Sequence, residues 1–143
     1  MQEHLLRTSG HAAFALQYHL VFVTKYRHKC LTAEMLEQLR VQFLRVCLAW
    51  RCELTEFNGE ADHVHLLVTG HPTVALSRLV GNLKTVSARY MRAAHAQHLK
   101  KFFWKKIFWS GAYAAFTVGA ADLATVIRYI QEQESPALPS TGK

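Results

Sequence analysis

The sequence predicts an α+β domain of ferredoxin-like topology: β-α-β-β-α-β, an antiparallel sheet with two helices on one face, extended by one C-terminal helix. Three observations predict it. Stretches with strand-like patterning start at Phe14, Cys52, Asp62 and Ser110. Two long segments between them carry apolar residues at helical spacing. The dipeptide Asn58-Gly59 is a hairpin signal that makes the second and third strands antiparallel neighbours.

Taken in order, residues 1 to 12 show no periodicity and read as a flexible arm. From Phe14 to Lys25 the residues alternate. Phe14, Leu16, Tyr18, Leu20 and Phe22 share one face, while Gln17, His19 and Lys25 share the other with Val21 and Val23. This long strand ends in the basic turn Lys25-Tyr26-Arg27-His28-Lys29. Thr32 is placed to cap the first helix, with Glu34 in its first turn. Its core stripe is Leu36, Leu39, Phe43, Val46 and Trp50. Residues 52–58 form the second strand and Asp62–Thr69 the third. Thr73 is placed to cap a second helix with the buried stripe Leu76, Leu79, Val80, Leu83, Val86 and Tyr90. That helix runs out around His95–Leu99. Residues 110–118 make the fourth strand, Gly119 breaks it, and Asp122 opens the last helix, with Leu123, Val126, Ile127 and Ile130 facing inward. Ser135-Pro136 ends it, and residues 135–143 read as a flexible tail.

A chain of 143 residues, half of them hydrophobic, suits one domain with a sizeable core. No apolar run is long enough to span a bilayer, and Met1-Gln2-Glu3-His4 lacks the basic-then-apolar layout of a signal peptide. The expectation is a soluble cytoplasmic protein with no membrane partner. Cys30, Cys47 and Cys52 are odd in number and form no CxxC pair, so they read as reduced core thiols. Lys and Arg total 17 against 10 acidic residues, a net charge of +7 that favours a polyanionic partner such as nucleic acid.

Three clusters carry chemistry. In Asp62-His63-Val64-His65-Leu66-Leu67-Val68-Thr69 the alternation puts Val64, Leu66 and Val68 on one face and His63, His65 and Leu67 on the other. The two imidazoles are close enough to share a divalent cation; the alternative is a solvated polar strand face. Lys100-Lys101-Phe102-Phe103-Trp104-Lys105-Lys106 interleaves rings with ammonium groups, a mixture that suits single-stranded nucleic acid. The alternative there is a loop whose rings simply anchor it to the core. On the last helix Tyr129 lies off the apolar stripe, and Gln133 follows it by one turn on nearly the same side. Two neutral imidazoles and an amide oxygen can hold Mg²⁺ or Mn²⁺ with positions left for phosphate oxygens. A phenol is a poor nucleophile at neutral pH and needs such activation to form a phosphotyrosine.

These residues resemble the single-tyrosine HUH transposases of the simplest bacterial and archaeal insertion sequences, the two-hundred/six-hundred-five group. The matching stretches, in the family's order, are Tyr18-His-Leu-Val-Phe-Val-Thr-Lys-Tyr-Arg27, Asp62-His-Val-His-Leu-Leu-Val68, Val80-Gly-Asn-Leu-Lys84 and Tyr129-Ile-Gln-Glu-Gln133. The resemblance implies that His63, His65 and Gln133 hold the metal and that Tyr129 is the nucleophile. It implies cleavage of single-stranded DNA at hairpin-marked ends, a 5′-phosphotyrosine link, a released 3′-hydroxyl and rejoining by reversal. It further implies a homodimer in which one subunit's tyrosine helix can complete the other's site, in a prokaryotic cytoplasm, on nucleoid DNA. Asp62 is a candidate to orient a site histidine. Lys25, Arg27, Arg78, Lys84, Arg89, Lys101, Trp104 and Lys105 are candidate DNA contacts. The family's Gly-Gly before the tyrosine helix stands here as Gly119-Ala120, and its Ser-Pro-Ser-Tyr-like segment as Ser110-Gly111-Ala112-Tyr113.

Other readings stay open at this point. Histidine-triad hydrolases need a third histidine where this chain has Leu67. A host-domesticated hairpin endonuclease of the kind associated with repetitive palindromes would use the same residues. A hairpin-binding protein without catalysis would not require them.

Overall fold

A computed structural model describes residues 7–9, 12–14, 16–118 and 123–134. Among these residues the strands are β1 (Arg7–Ser9), β2 (Ala12–Phe14), β3 (Gln17–Thr24), β4 (Glu53–Gly59), β5 (His63–Thr69) and β6 (Trp109–Thr117). The helices are α1 (Ala33–Ala49), α2 (Leu76–Ala94), the short α3 (Ala96–Leu99) and α4 (Leu123–Glu134). The main sheet runs β4-β5-β3-β6, and every neighbouring pair in it is antiparallel. From β3 onward, leaving α3 aside, the order is the predicted β-α-β-β-α-β followed by a last helix.

The two faces of β3 separate two packed clusters. Leu20 and Phe22 lie in the main core with Val64, Leu66 and Val68 of β5, Met35, Leu39 and Phe43 of α1, and Leu79, Leu83 and Met91 of α2. Both long helices therefore cover one face. Val21 and Val23 point the other way, into a smaller cluster with Ala114 of β6 and Val126 of α4. Burial of these aliphatic side chains stabilises by roughly 1.5–3 kcal/mol apiece, and the larger cluster supplies most of it. Phe22 meets Phe43 and Trp109 edge-on, each at 5.8 Å between ring centroids, which closes the core at the sheet end near Thr24. The three cysteines are buried thiols. Burial pushes the Cys30 thiol up to about 11 and that of Cys47 to about 12, so both stay protonated and inert.

Thr32 caps α1 as expected, its Oγ1 accepting from the Met35 amide at 3.1 Å. Several local expectations need correction. Phe14 belongs to a hairpin in which Ala12–Phe14 pairs with Arg7–Ser9, and the central strand starts only at Gln17. Asn58-Gly59 is not the turn: Asn58 pairs with His65 and Gly59 with Val64, inside the ladder. The reversal is made at Glu60–Asp62, where the Glu60 amide donates to the His63 carbonyl at 2.9 Å. Gly59 is there because space is short. A Cβ at that position would stand 2.6 Å from Cδ2 of Leu36 and 3.2 Å from Cγ1 of Val64. Nor does Thr73 cap α2, whose first residue is Leu76; the Thr73 hydroxyl is instead bonded to Nδ1 of His71 at 2.7 Å. Asp122, Gly119-Ala120 and Ser135-Pro136 lie outside the described residues.

Candidate active site on the open face of the sheet

The strand alternation that buries Val64 and Leu66 turns His63 and His65 to the face opposite α1 and α2. The register sets Val23 beside His63, Val21 beside His65, and His19 beside Leu67. His63, His65, His19, Val21 and Val23 thus share one face, and α4 packs across part of it. Tyr129 and Ile130 pack on the Val21–Val23–Ala114–Val126 cluster, and the Tyr129 ring meets Phe116 of β6 edge-on at 6.1 Å and 74°. The inward stripe of α4 is therefore Val126, Tyr129, Ile130 and the half-buried Gln133, not one containing Ile127, which is 44% exposed. The helix sits rotated from the expected orientation because ring and aliphatic groups together match the sheet's apolar strip. Nothing is described of the Leu123 side chain.

Behind His63 runs a chain of buried polar contacts. His63 Nδ1 donates to Asp62 Oδ1 at 2.9 Å, and Arg27 Nε donates to Asp62 Oδ2 at 3.1 Å. The side chains of Arg27 and Asp62 are only 10% and 7% exposed. Asp62 itself is clamped by its backbone: its carbonyl accepts from the Thr24 amide at 3.0 Å and from the Thr24 hydroxyl at 3.2 Å. A proton held on Nδ1 leaves the Nε2 lone pair of His63 for a ligand, as a metal-binding histidine requires. The His63 ring is thus hydrogen-bonded through Nδ1 to the Asp62 carboxylate. Arg27, a candidate DNA contact by sequence, is instead turned inward to brace Asp62.

His65 has a different neighbour. Its Nε2 shares a hydrogen bond with Nδ1 of His19 at 2.8 Å, and the rings stack at 5.0 Å and 21°. Burial, then the nearby His19 and His63, push the His65 pKa down to about 4. Burial likewise lowers His19, against a smaller opposing influence of Glu56. His65 is thus neutral, with a nitrogen lone pair, throughout the physiological range. The sign follows for folding: above the unfolded value of about 6.5 the imidazole is neutral in both states and costs nothing. As pH falls from there toward 4 the unfolded chain takes up the proton first, so stability is lost over that window. Urea denaturation of metal-free protein at pH 7.5 and pH 4.5 is expected to show a lower midpoint at the acid end, with His65→Gln flattening part of the difference.

Burial raises the Tyr129 phenol above its ordinary range, while Arg27 acts in the opposite sense. The phenol is protonated at neutral pH, and the Arg27 guanidinium lies within electrostatic reach of it. That interaction links the helix side of the face to the Asp62–His63 side. Among the described residues no three His, Cys, Asp or Glu side chains converge closely enough to hold a metal ion. His63 and His65 lie on this face, and Gln133 stands one turn beyond Tyr129 on α4; imidazole nitrogens and an amide oxygen are donors of the kind a divalent cation accepts.

Sequence reasoning missed His19. The signal was present, since the β3 alternation put it on the same face as Val21 and Val23, but only the β3–β5 register brings it to His65. The remaining candidate DNA contacts lie away from this face. Arg78 and Arg89 are exposed on the outside of α2, and Lys101 and Lys105 are exposed beyond α3. Trp104 is 86% exposed whereas Phe103 is buried, so the interleaved loop does both things: one ring anchors it and another faces solvent. Lys84 donates from Nζ to the Ser110 carbonyl at 2.7 Å and lies 5.8 Å from the Tyr113 ring centre. Burial, and then the charge of Lys25, lower its pKa. No helix among the described residues is long and apolar enough to cross a membrane.

Comparison with known proteins supports the fold and points to a family. The family model described as "Transposase IS200 like" matches residues 12–133. The ISDra2 transposase TnpA of Deinococcus radiodurans is 33% identical over 120 residues, covering 84% of this chain and 85% of the relative. A Salmonella typhimurium transposase for insertion sequence element IS200 is 27% identical over 127 residues, covering 89% and 82% respectively. A Deinococcus radiodurans protein assigned as a transposase, known from its crystal structure, superposes with a TM-score of 0.79 at 31% identity, covering 89% of this chain and 97% of that one. A REP-associated tyrosine transposase solved bound to a REP hairpin shares the fold at a TM-score of 0.54 and 12% identity, covering 86% and 68%. The chain belongs to the IS200-like transposase family, whose members are DNA-cleaving and strand-transferring enzymes.

Proposed function

We propose that this transposase cuts and rejoins single-stranded DNA at hairpin-marked ends through a covalent link to Tyr129. The observation that carries the proposal is the packing of Tyr129 of α4 onto the sheet face that also presents His63 and His65. A fixed strand supplies ligands, and a separate helix supplies the nucleophile.

In this reading His63 and His65 ligate through imidazole nitrogens, with the Gln133 amide oxygen as third protein ligand. A bound Mg²⁺ or Mn²⁺ would supply Lewis-acid polarisation of the scissile phosphate. Asp62 keeps the proton on His63 Nδ1, and His65 exchanges its His19 contact for ligation, a loss of about 1 kcal/mol. Tyr129 is protonated at rest, so its attack is silent until a phosphate is bound. Its phenolic oxygen then forms a bond to phosphorus, the bond from phosphorus to the 3′-oxygen breaks, and the proton ends on that leaving oxygen. The products are a 5′-phosphotyrosine and a free 3′-hydroxyl. Because one ester replaces another, the reverse attack by a 3′-hydroxyl rejoins strands without an added energy source. The charge of Arg27, within reach of the phenol, favours the phenolate as it develops.

The same reading makes the working unit a homodimer and the native location the prokaryotic cytoplasm. Lys25, Lys84, Arg78, Arg89, Lys101, Trp104 and Lys105 supply its DNA contacts. The test is incubation of purified protein with a 3′-end-labelled single-stranded hairpin and Mg²⁺, followed by a denaturing gel. A labelled band at the protein's mass, lost on adding EDTA, is the expected result. Hairpin binding with no such band under any divalent metal would overturn the proposal in favour of a non-catalytic hairpin binder.

A further inference from the structure

The turn after β3 is strained in an unusual way. Tyr26 and Arg27 are consecutive non-glycine residues with positive φ, 61° and 58°. Each costs on the order of 1 kcal/mol relative to ordinary backbone. The consequence is that neighbouring side chains go opposite ways: Arg27 turns inward to Asp62, and Tyr26 turns out, 63% exposed. The Tyr26 ring is not loose. His28 meets it edge-on at 5.7 Å and itself rests on Phe103 at 5.3 Å, while Lys25 Nζ sits 5.4 Å from the ring centre. An exposed aromatic is thus held two polar contacts away from His63, through Arg27 and Asp62.

Lys25 also opens onto a groove. The Lys25 amide donates to the Phe108 carbonyl at 2.8 Å, which joins the end of β3 to the segment before β6. The groove beside it is lined by Lys25, Lys84, Arg92 and Lys106, with Trp109 and Ile107 as apolar floor and no acidic residue among the described lining. A second groove continues from it, sharing Arg92 and Lys106 and ending at Lys105 and Trp104. Trp104 stands out at the far end with Lys105 Nζ 5.3 Å from its ring centre. Four cations in one groove with no counter-charge repel one another unless anions lie between them. Rings at both ends and cations between them match what a single strand offers: bases that stack and a charge on every phosphate.

We propose that these two grooves form one channel leading the single strand away from the histidine face, with Tyr26 stacking a base at its mouth and Trp104 stacking one at its far end. The proposal rests on the single-strand cleavage reading above and adds Tyr26, Arg92 and Lys106 as DNA-binding residues. The backbone strain at Tyr26 then has a use, since it aims one ring at the strand while Arg27 holds the site.

The test uses the full chain and a hairpin with a single-stranded flank carrying 2-aminopurine at successive positions, with binding read by anisotropy. Wild type is expected to quench the probe at one position near the cleavage site and at a second further along the flank. Tyr26→Asn removes the ring while keeping a residue that tolerates left-handed backbone. It should lose the first quench and bind roughly 5- to 100-fold more weakly, with Tyr26→Phe restoring both. Trp104→Ala should lose only the second. Arg92→Gln with Lys106→Gln should lower the slope of log affinity against log salt by about 1.4, two single-strand phosphates' worth. Unchanged quenching and slopes in variants that still melt like wild type would overturn the channel. Formation of the covalent adduct by wild type in the same mixtures tells that failure apart from failure of the cleavage reading.

Discussion

Tyr129→Phe is expected to abolish the covalent protein–DNA adduct, by roughly 10⁴-fold or more, while hairpin binding and folding stay near wild type. The size of the effect follows from chemistry: without the phenolic oxygen there is no bond to phosphorus and no intermediate to carry the strand. The selectivity follows from packing. What the fold uses at this position is the ring, set edge-on against Phe116 and packed over Val21, Val23 and Val126. Phenylalanine keeps that ring, so the change in stability should stay within about 0.5 kcal/mol by urea denaturation. Adduct formation by the variant at a wild-type rate would remove Tyr129 from the reaction. A matching loss of binding and of fold would mean that the residue is structural only.

The second large effect is expected at Asp62. Its carboxylate accepts from both Arg27 and His63, and its carbonyl from the Thr24 amide, all in the interior. Asp62→Ala removes the carboxylate from a buried guanidinium, a loss of roughly 3–5 kcal/mol of the kind seen when one partner of a buried pair is deleted. Asp62→Asn keeps shape and an acceptor, and should lose less. Asp62→Ala frees Nδ1 of His63 from its anchor, so metal affinity should fall about 10- to 100-fold; Asp62→Asn, whose amide oxygen still offers Nδ1 an acceptor, should lose less. Denaturation and metal titration read the two consequences separately. A stable Asp62→Ala protein with wild-type metal affinity would show that the Arg27–Asp62–His63 chain does no positioning.

The β5 pattern was legible in sequence for a simple reason. One face of the strand is buried, so a shift by one residue would put His63 and His65 in the core, and the alternation admits only one answer. The capping of α1 by Thr32 was legible because it is local. Errors arose where a distant element decides. Gly59 looked like a turn glycine, but its small size is used against Leu36 of α1, which no local pattern reports. On α4, Val126 with either Ile127 or Tyr129 makes a plausible apolar stripe. The strip formed by Val21, Val23 and Ala114 selects the one containing Tyr129.

Arg27 shows the same limit in electrostatics. In a run of five residues, Lys25-Tyr26-Arg27-His28-Lys29, each basic group reads as solvated. Only two successive left-handed residues reveal that Arg27 is turned in and Tyr26 out. His19 was on the correct face but had no visible partner until strand pairing set it opposite Leu67, from where its ring reaches diagonally to His65. Residue types and their faces are written locally, whereas the contacts that tune a site come from pairing across the sheet.

The most direct test of the account is to digest the gel-purified adduct formed with Mg²⁺ and a single-stranded hairpin, then sequence the DNA-bearing peptide by mass spectrometry. One modified residue is expected, Tyr129, carrying the 5′-phosphate of the downstream strand, with the released fragment ending in a 3′-hydroxyl. Attachment to any other residue, a 3′-phosphate linkage, or clean hydrolysis with no DNA-bearing peptide would contradict it.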